Sequence, residues 1–157
     1  MSIDLKWMEE TIVRRKLTDG ERDCLKRFVE VVYTPADMAI VHQGVQGGPL
    51  FLLRSGTFRI TRKKRGNEII ITTGDDEGRA FGEMSLLSEE RTSANVIAES
   101  QCTSYKISRE GFCCIMAEQS ELALALMAHI IRGMASAIRR LDTEGTHQYH
   151  YHPDELR

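Results

Sequence analysis

Proline is scarce in this sequence, with three among 157 residues, and tryptophan occurs once. Such a composition excludes a Pro-rich or low-complexity linker architecture. No charge sign dominates either: 21 Lys and Arg face 23 Asp and Glu, for a net charge of −2. The chain as a whole therefore lacks the electrostatic footprint of a nucleic-acid binder. No apolar core follows Met1-Ser2-Ile3-Asp4, so no signal peptide is read there. No apolar run is read as approaching the roughly 20 residues of a membrane helix, so membrane insertion is not expected and the expected location is cytoplasmic. The four cysteines, Cys24, Cys102, Cys113 and Cys114, lack CxxC spacing. In a chain large enough to bury a core, they read as reduced and mostly buried thiols, with one of the adjacent pair buried and the other partly exposed. His42 is the single imidazole of the central region, and no Ser-His-Asp or Cys-His arrangement stands out. No catalytic residue and no metal ligand is assigned, and the chain is not expected to be an enzyme.

What is present is a change of pattern along the chain. Leu5 to Lys16 reads as a helix with Trp7, Met8 and Ile12 on one face. Thr18-Asp19-Gly20-Glu21 is a capping box, with Thr at the N-cap and Glu three residues on, and opens a second helix through about Glu30. Pro35 follows it. From there to Ile107, short β-rich runs alternate with turn residues: Met38–His42, Leu50–Arg54, Thr57–Lys63, Glu68–Thr73, Asn95–Ala98 and Thr103–Ile107. That spacing predicts an antiparallel β-sandwich or roll. The basic run Arg62-Lys63-Lys64-Arg65 ends at Gly66-Asn67 and reads as a solvated hairpin tip. After Ser108, a predicted N-cap, helices are expected over Arg109 to Ala117 and Ser120 to Leu141. The expected organisation is an N-terminal helix over 1–16, a domain over 17–142, and a flexible tail over 143–157. The fold class is mostly β with flanking helices: an antiparallel β-roll or jelly roll with N-terminal helices and a long C-terminal helix.

Two stretches carry a familiar pattern. Ile40-Val41-His42-Gln43-Gly44-Val45-Gln46-Gly47-Gly48-Pro49-Leu50-Phe51-Leu52-Leu53-Arg54-Ser55-Gly56 joins a strand, a Gly-x-x-Gly loop, four apolar residues and a turn glycine. Phe81-Gly82-Glu83-Met84-Ser85-Leu86 is followed by Arg91-Thr92-Ser93-Ala94-Asn95-Val96-Ile97-Ala98. In this order they resemble the opening hairpin and the phosphate-binding cassette of cyclic-nucleotide-binding domains, over roughly Leu17 to Leu141. The resemblance implies a module that senses cAMP or cGMP, with Gly82, Glu83, Met84, Ser85, Arg91, Thr92, Ser93 and Ala94 as its ligand-binding residues. Chemically, glycine lets the backbone approach closely, and the helical turn after it aims N–H groups at a phosphate. Glu83 would accept from the ribose 2′-hydroxyl, and an arginine would pair with the cyclic phosphate. Ile70, Val96 or Leu52 would pack on the base, under the long C-terminal helix as a lid.

One departure stands out. The family's cassette ends in Arg, Ser or Thr, Ala, then x-Val-x-Ala. Anchoring on Ala94, Val96 and Ala98 puts Thr92 at the arginine position, with Arg91 one residue upstream. Anchoring on Arg91 shortens the preceding loop by one residue and puts Ser93 where Ala belongs. Neighbouring side chains of an extended segment face opposite ways, so the offset bears directly on the pocket's charge. A relative that kept the fold and lost the ligand, acting as a dimeric interaction module, is the alternative function.

In the long helix, Met127, Met134 and Leu141 recur at heptad spacing, with Ile130, Ile131, Ala137 and Ile138 between them. A homodimer through this helix is expected. His147, His150 and His152 form a His-x-x-His-x-His tail that is given no metal role. Residues after Asp142 are too few for a helix-turn-helix domain, so direct DNA binding is not expected of this sequence.

Overall fold

The computed structural model describes residues 2–148, with side chains as far as Asp142. A short helix α1 (Leu5–Trp7) passes into a π-helical turn, Met8–Val13, which ends at Arg14 in the left-handed conformation. The capping box forms as expected: Thr18 accepts from the Glu21 amide, Glu21 accepts from the Thr18 amide, and helix α2 spans Asp19–Phe28. Strands follow as β1 (Val29–Thr34), β2 (Ala39–Val41), β3 (Leu50–Ser55), β4 (Phe58–Lys64), β5 (Asn67–Gly74) and β6 (Ala80–Phe81). After helix α3 (Glu83–Leu87) come β7 (Asn95–Ala98), β8 (Cys102–Ile107), α4 (Arg109–Glu118) and α5 (Ser120–Gln148). The strands form two antiparallel four-stranded sheets, ordered β1-β8-β3-β6 and β2-β7-β4-β5.

Three elements depart from the sequence reading. The second helix stops at Phe28 rather than near Glu30, because Val29, Val31, Val32 and Thr34 are β-branched and favour extended backbone. All six residues of β1 pair with β8, from Val29 opposite Ile107 to Thr34 opposite Cys102. Strand β6 has only two residues, Phe81 opposite Phe51 and Ala80 opposite Leu52, too few for any periodic signal. Helix α5 runs on to Gln148, so residues 143–148, read as tail, are helical. His147 lies in that helix, and His150 and His152 lie outside the described residues.

Side chains on the two faces of the first sheet enter different cores. On one face Leu50, Leu52, Tyr105 and Ile107 meet Met8, Ile12, Leu25, Phe112, Ile115, Leu122, Leu126 and Ile130 of the helices. On the other, Phe51, Leu53, Phe81 and Cys102 meet Ile40, Val41, Phe58, Val96 and Ala98 inside the roll. Strand β3 is covered on both faces, which is why it reads as an unbroken apolar run instead of alternating. The basic segment lies at an exposed hairpin tip, as expected: Arg65 (φ 53°) and Gly66 (φ 82°) both adopt the positive φ of a type I′ turn.

Some expectations about the surface need correction. Cys24 and Cys102 are buried free thiols, but Cys113 and Cys114 are both exposed. Helix α5 is, over Ser120–Asp142, long and apolar enough to cross a membrane by length and composition, contrary to the sequence reading. One face of it is instead committed to the protein's own core, through Leu122, Ala123, Leu126 and Ile130. Between α4 and α5 only Gln119 is non-helical (φ −138°, ψ 70°).

The turn from β6 into α3 depends on Gly82, which has φ 77° and ψ 6°. A Cβ placed there would lie 2.4 Å from the Pro49 carbonyl oxygen, inside any allowed contact. Backbone strain in this region costs a non-glycine residue about 1–2 kcal/mol, and the collision adds to that. Gly82→Ala is therefore expected to lower the unfolding free energy by more than about 2 kcal/mol. A urea titration read by far-UV circular dichroism measures it, and an unchanged midpoint would remove the constraint.

Candidate functional site

A recess of about 140 Å³ opens where the roll meets the β6–α3 turn. Val41, Ile60, Phe81 and Val96 give its apolar wall. Gly82, Glu83, Met84 and Ser85 form one rim, and Thr92, Ser93 and Ala94 face them. Seven of the eight residues expected to bind ligand thus converge on one recess, and Arg91 is the exception. Of the residues expected to pack on a base, Val96 is present. Leu52 points instead into the helix-side core, and Ile70 is exposed on edge strand β5.

Hydrogen bonds decide which of these groups remain available. Thr92 is buried: its hydroxyl donates to the His42 carbonyl and accepts from the Val45 amide at 2.9 Å. Its backbone amide donates to the Val45 carbonyl at 2.8 Å, and its carbonyl accepts from the Gly44 amide at 2.8 Å. These bonds clamp the end of the cassette onto the glycine loop. Ser85 is fully buried and serves the same loop, accepting from the Gly48 amide at 3.1 Å and donating to the Val45 carbonyl at 3.3 Å. Arg91 is exposed, pairs with Gln46 in an isolated bridge, and donates from Nη1 to the Gly44 carbonyl at 2.9 Å. Thr92 therefore occupies the inward position of the cassette while Arg91 lies along the outer side of the glycine loop.

Glu83 opens α3 at the edge of the recess. Burial pushes its carboxyl above the ordinary value of 4.5, against the opposing pull of its own backbone N–H and of Arg79. A half-buried carboxylate on a fixed turn is well suited to accept from a ligand hydroxyl. Residues that sequence reasoning missed include Ile60, Val41 and Arg79. Arg79 could have been noticed as a cation following the acidic run Asp75-Asp76-Glu77, four residues before Glu83.

The recess adjoins a larger cavity of about 540 Å³ under α5, and the two share Arg79, Ala80, Glu83 and Met84. Its far wall is Ile130, Met134, Ala137 and Ile138 of α5. The larger space lies within the usual range of about 300–1,000 Å³ for small-molecule sites, whereas the recess alone does not. Together they make a trough with Arg79 and Glu83 at its junction, apolar side chains on part of each wall, and Arg14, His129, Arg132 and Arg140 around the larger end.

This arrangement has counterparts in known proteins. The sequence pattern of the "Cyclic nucleotide-binding domain" family matches residues 31–119, more than half of the chain. The cyclic AMP receptor protein of Thermus thermophilus is 31% identical over 126 residues, which cover 80% of this chain and 58% of that protein. Human cGMP-dependent protein kinase 2 is 35% identical over 80 residues, 49% of this chain and 10% of the kinase. This chain therefore spans between a tenth and about three fifths of the length of these relatives. Among solved structures, a cyclic nucleotide-binding domain from Methylobacillus flagellatus superposes with a TM-score of 0.79, covering 95% of this chain and 86% of that one at 17% identity, a likeness of fold. With the roll, the glycine-started cassette and the covering helix all in place, the chain belongs to the cyclic nucleotide-binding domain family.

Proposed function

We propose that this chain is a regulatory module that binds a cyclic nucleotide, cAMP or cGMP, in the trough between the roll and α5. The observation that carries this reading is Glu83: a half-buried carboxylate on the Gly82 turn, at the junction of the two cavities. Its place suits acceptance from a ribose hydroxyl, with the cyclic phosphate in the recess toward Ser93 and Ala94. The base then lies toward Ile130, Met134 and Ala137 of α5, which acts as the lid. Both curated relatives named above carry a cyclic nucleotide in their names, which supports the same ligand class. The module is non-catalytic and cytoplasmic in this reading, and it signals through the position of α5 rather than by binding DNA or inserting into a membrane.

We further propose a homodimer through α5, on a different stripe from the one read in the sequence. Met127 and Met134 pack against the protein's own core. Leu124, Ile131 and Ile138, spaced by seven, are 61%, 62% and 59% exposed, and Leu141 is 67% exposed. A heptad-spaced apolar seam of this kind is best covered by a second copy of the same helix.

Two measurements test these readings. A hydrogen bond to a charged acceptor contributes about 1.5–3 kcal/mol, so Glu83→Ala is expected to weaken cAMP or cGMP binding about ten- to a hundredfold by calorimetry. Because burial holds the Glu83 pKa above 4.5, wild-type affinity is complete above that raised value and falls as the pH drops through it. The Glu83→Ala variant loses this pH dependence, and equal affinity of the two proteins at neutral pH would remove Glu83 from the site. For the seam, Ile131→Glu is expected to convert a dimer into a monomer in sedimentation equilibrium. A wild-type protein that is monomeric at high concentration would refute the dimer.

A further inference from the structure

A cyclic phosphate carries a fixed negative charge, and a recess that holds it out of water needs a cation to match. The two residues at the family's arginine position cannot supply one here. Thr92 is neutral and its hydroxyl is engaged in the clamp, and the Arg91 guanidinium is exposed on the glycine loop, away from the residues lining the recess. Of the other arginines, Arg62 is exposed and donates from Nε to the Ser93 carbonyl at 3.1 Å, Arg59 meets Asp37 at 3.5 Å, and Arg14, Arg132 and Arg140 line the larger cavity but not the recess.

Among the residues lining the recess, Arg79 is the one cation, and it also lines the larger cavity. Its backbone is fixed beside β3, where its carbonyl accepts from the Leu53 amide at 2.9 Å. Its side chain is 22% exposed, and the guanidinium lies 5.8 Å from the Phe58 ring centroid, at the roll interior. One nitrogen, Nη1, meets the exposed Asp76 carboxylate at 3.3 Å. A guanidinium has five N–H donors, so this single contact leaves a fork for a second anion.

We infer that Arg79 has taken over the phosphate-pairing role in this chain, reaching the recess from the turn that precedes β6 rather than from the cassette end. This rests on the nucleotide reading above. Asp76 is then a competitor, since an incoming phosphate must share or displace its contact with Arg79. The ligand group recognised is a singly charged phosphodiester beside a ribose, and the uncharged nucleoside gains nothing from Arg79.

Calorimetric titration of cAMP, cGMP and, as the uncharged probe, adenosine tests the assignment on four proteins: wild type, Arg79→Gln, Arg91→Ala and Asp76→Asn. Arg79→Gln is expected to lose about ten- to a hundredfold in affinity for the preferred cyclic nucleotide, while any adenosine affinity stays unchanged. Arg91→Ala is expected to bind as wild type. Asp76→Asn leaves the guanidinium in place and is expected to bind severalfold more tightly, so it reads the same group even if Arg79→Gln does not fold. Loss of binding in Arg91→Ala, with Asp76→Asn unchanged, overturns the Arg79 role and leaves the nucleotide reading standing. A wild type that binds neither cAMP nor cGMP overturns both.

Discussion

Strand β3 is the constraint on which the rest of the molecule depends. Leu50 and Leu52 pack among the helices, and Phe51 and Leu53 pack inside the roll, so one short strand is the shared wall of two cores. Its neighbours on either side are β8 and β6, which tie it to the N-terminal strand and to the cassette. Just before it, the Pro49 carbonyl sits where only glycine can pass, which sets the turn at Gly82 and hence the direction of Glu83. A change in the packing of β3 would therefore bear on the Glu83 carboxylate at the edge of the recess. The helices that rest on its outer face include α5, so the same strand connects the trough with the surface that would meet a second copy.

Much of this was legible in the sequence where the signal is local. The capping box at Thr18 and strand β7 over Asn95–Ala98 formed as read, and the hairpin read at Gly66-Asn67 formed with its turn one residue earlier, at Arg65-Gly66, because each is determined by neighbouring residues. The cassette residues came together because glycine before a short helix and small residues opposite it impose a narrow set of backbone paths. What was not legible is what depends on partners distant in sequence. Val29 to Thr34 becomes a strand because β8 is there to pair with it, and Ala80-Phe81 is extended only beside β3. The methionines of α5 were read as the exposed seam because a helix wheel shows that a stripe exists and not which of two stripes the core takes. The offset of Arg91 was visible, but its resolution lay in the four hydrogen bonds that hold Thr92 to the glycine loop.

Those bonds also separate two jobs that a single arginine could combine. Thr92 closes the cassette on the glycine loop through neutral hydrogen bonds, none of which needs an anion in the recess. In the proposed arrangement, charge enters instead from Arg79, in the turn before β6. Phosphate recognition, so proposed, and maintenance of the pocket would rest on different elements, and each could vary without the other.

The single non-helical residue between α4 and α5 gives the long helix the geometry of a lever. Twenty-nine residues at 1.5 Å each make an arm of about 43 Å that starts after Gln119, packs on the core from Leu122 to Ile130 and lines the trough as far as Arg140. A tilt of about 10° at that joint carries the far end through about 7 Å, more than one helical turn's rise. Motion of an ångström or two against Met134 and Ile138, close to the middle of the arm, is thus roughly doubled at its tip. A small shift at the trough would in this way become a displacement that a neighbouring molecule could read.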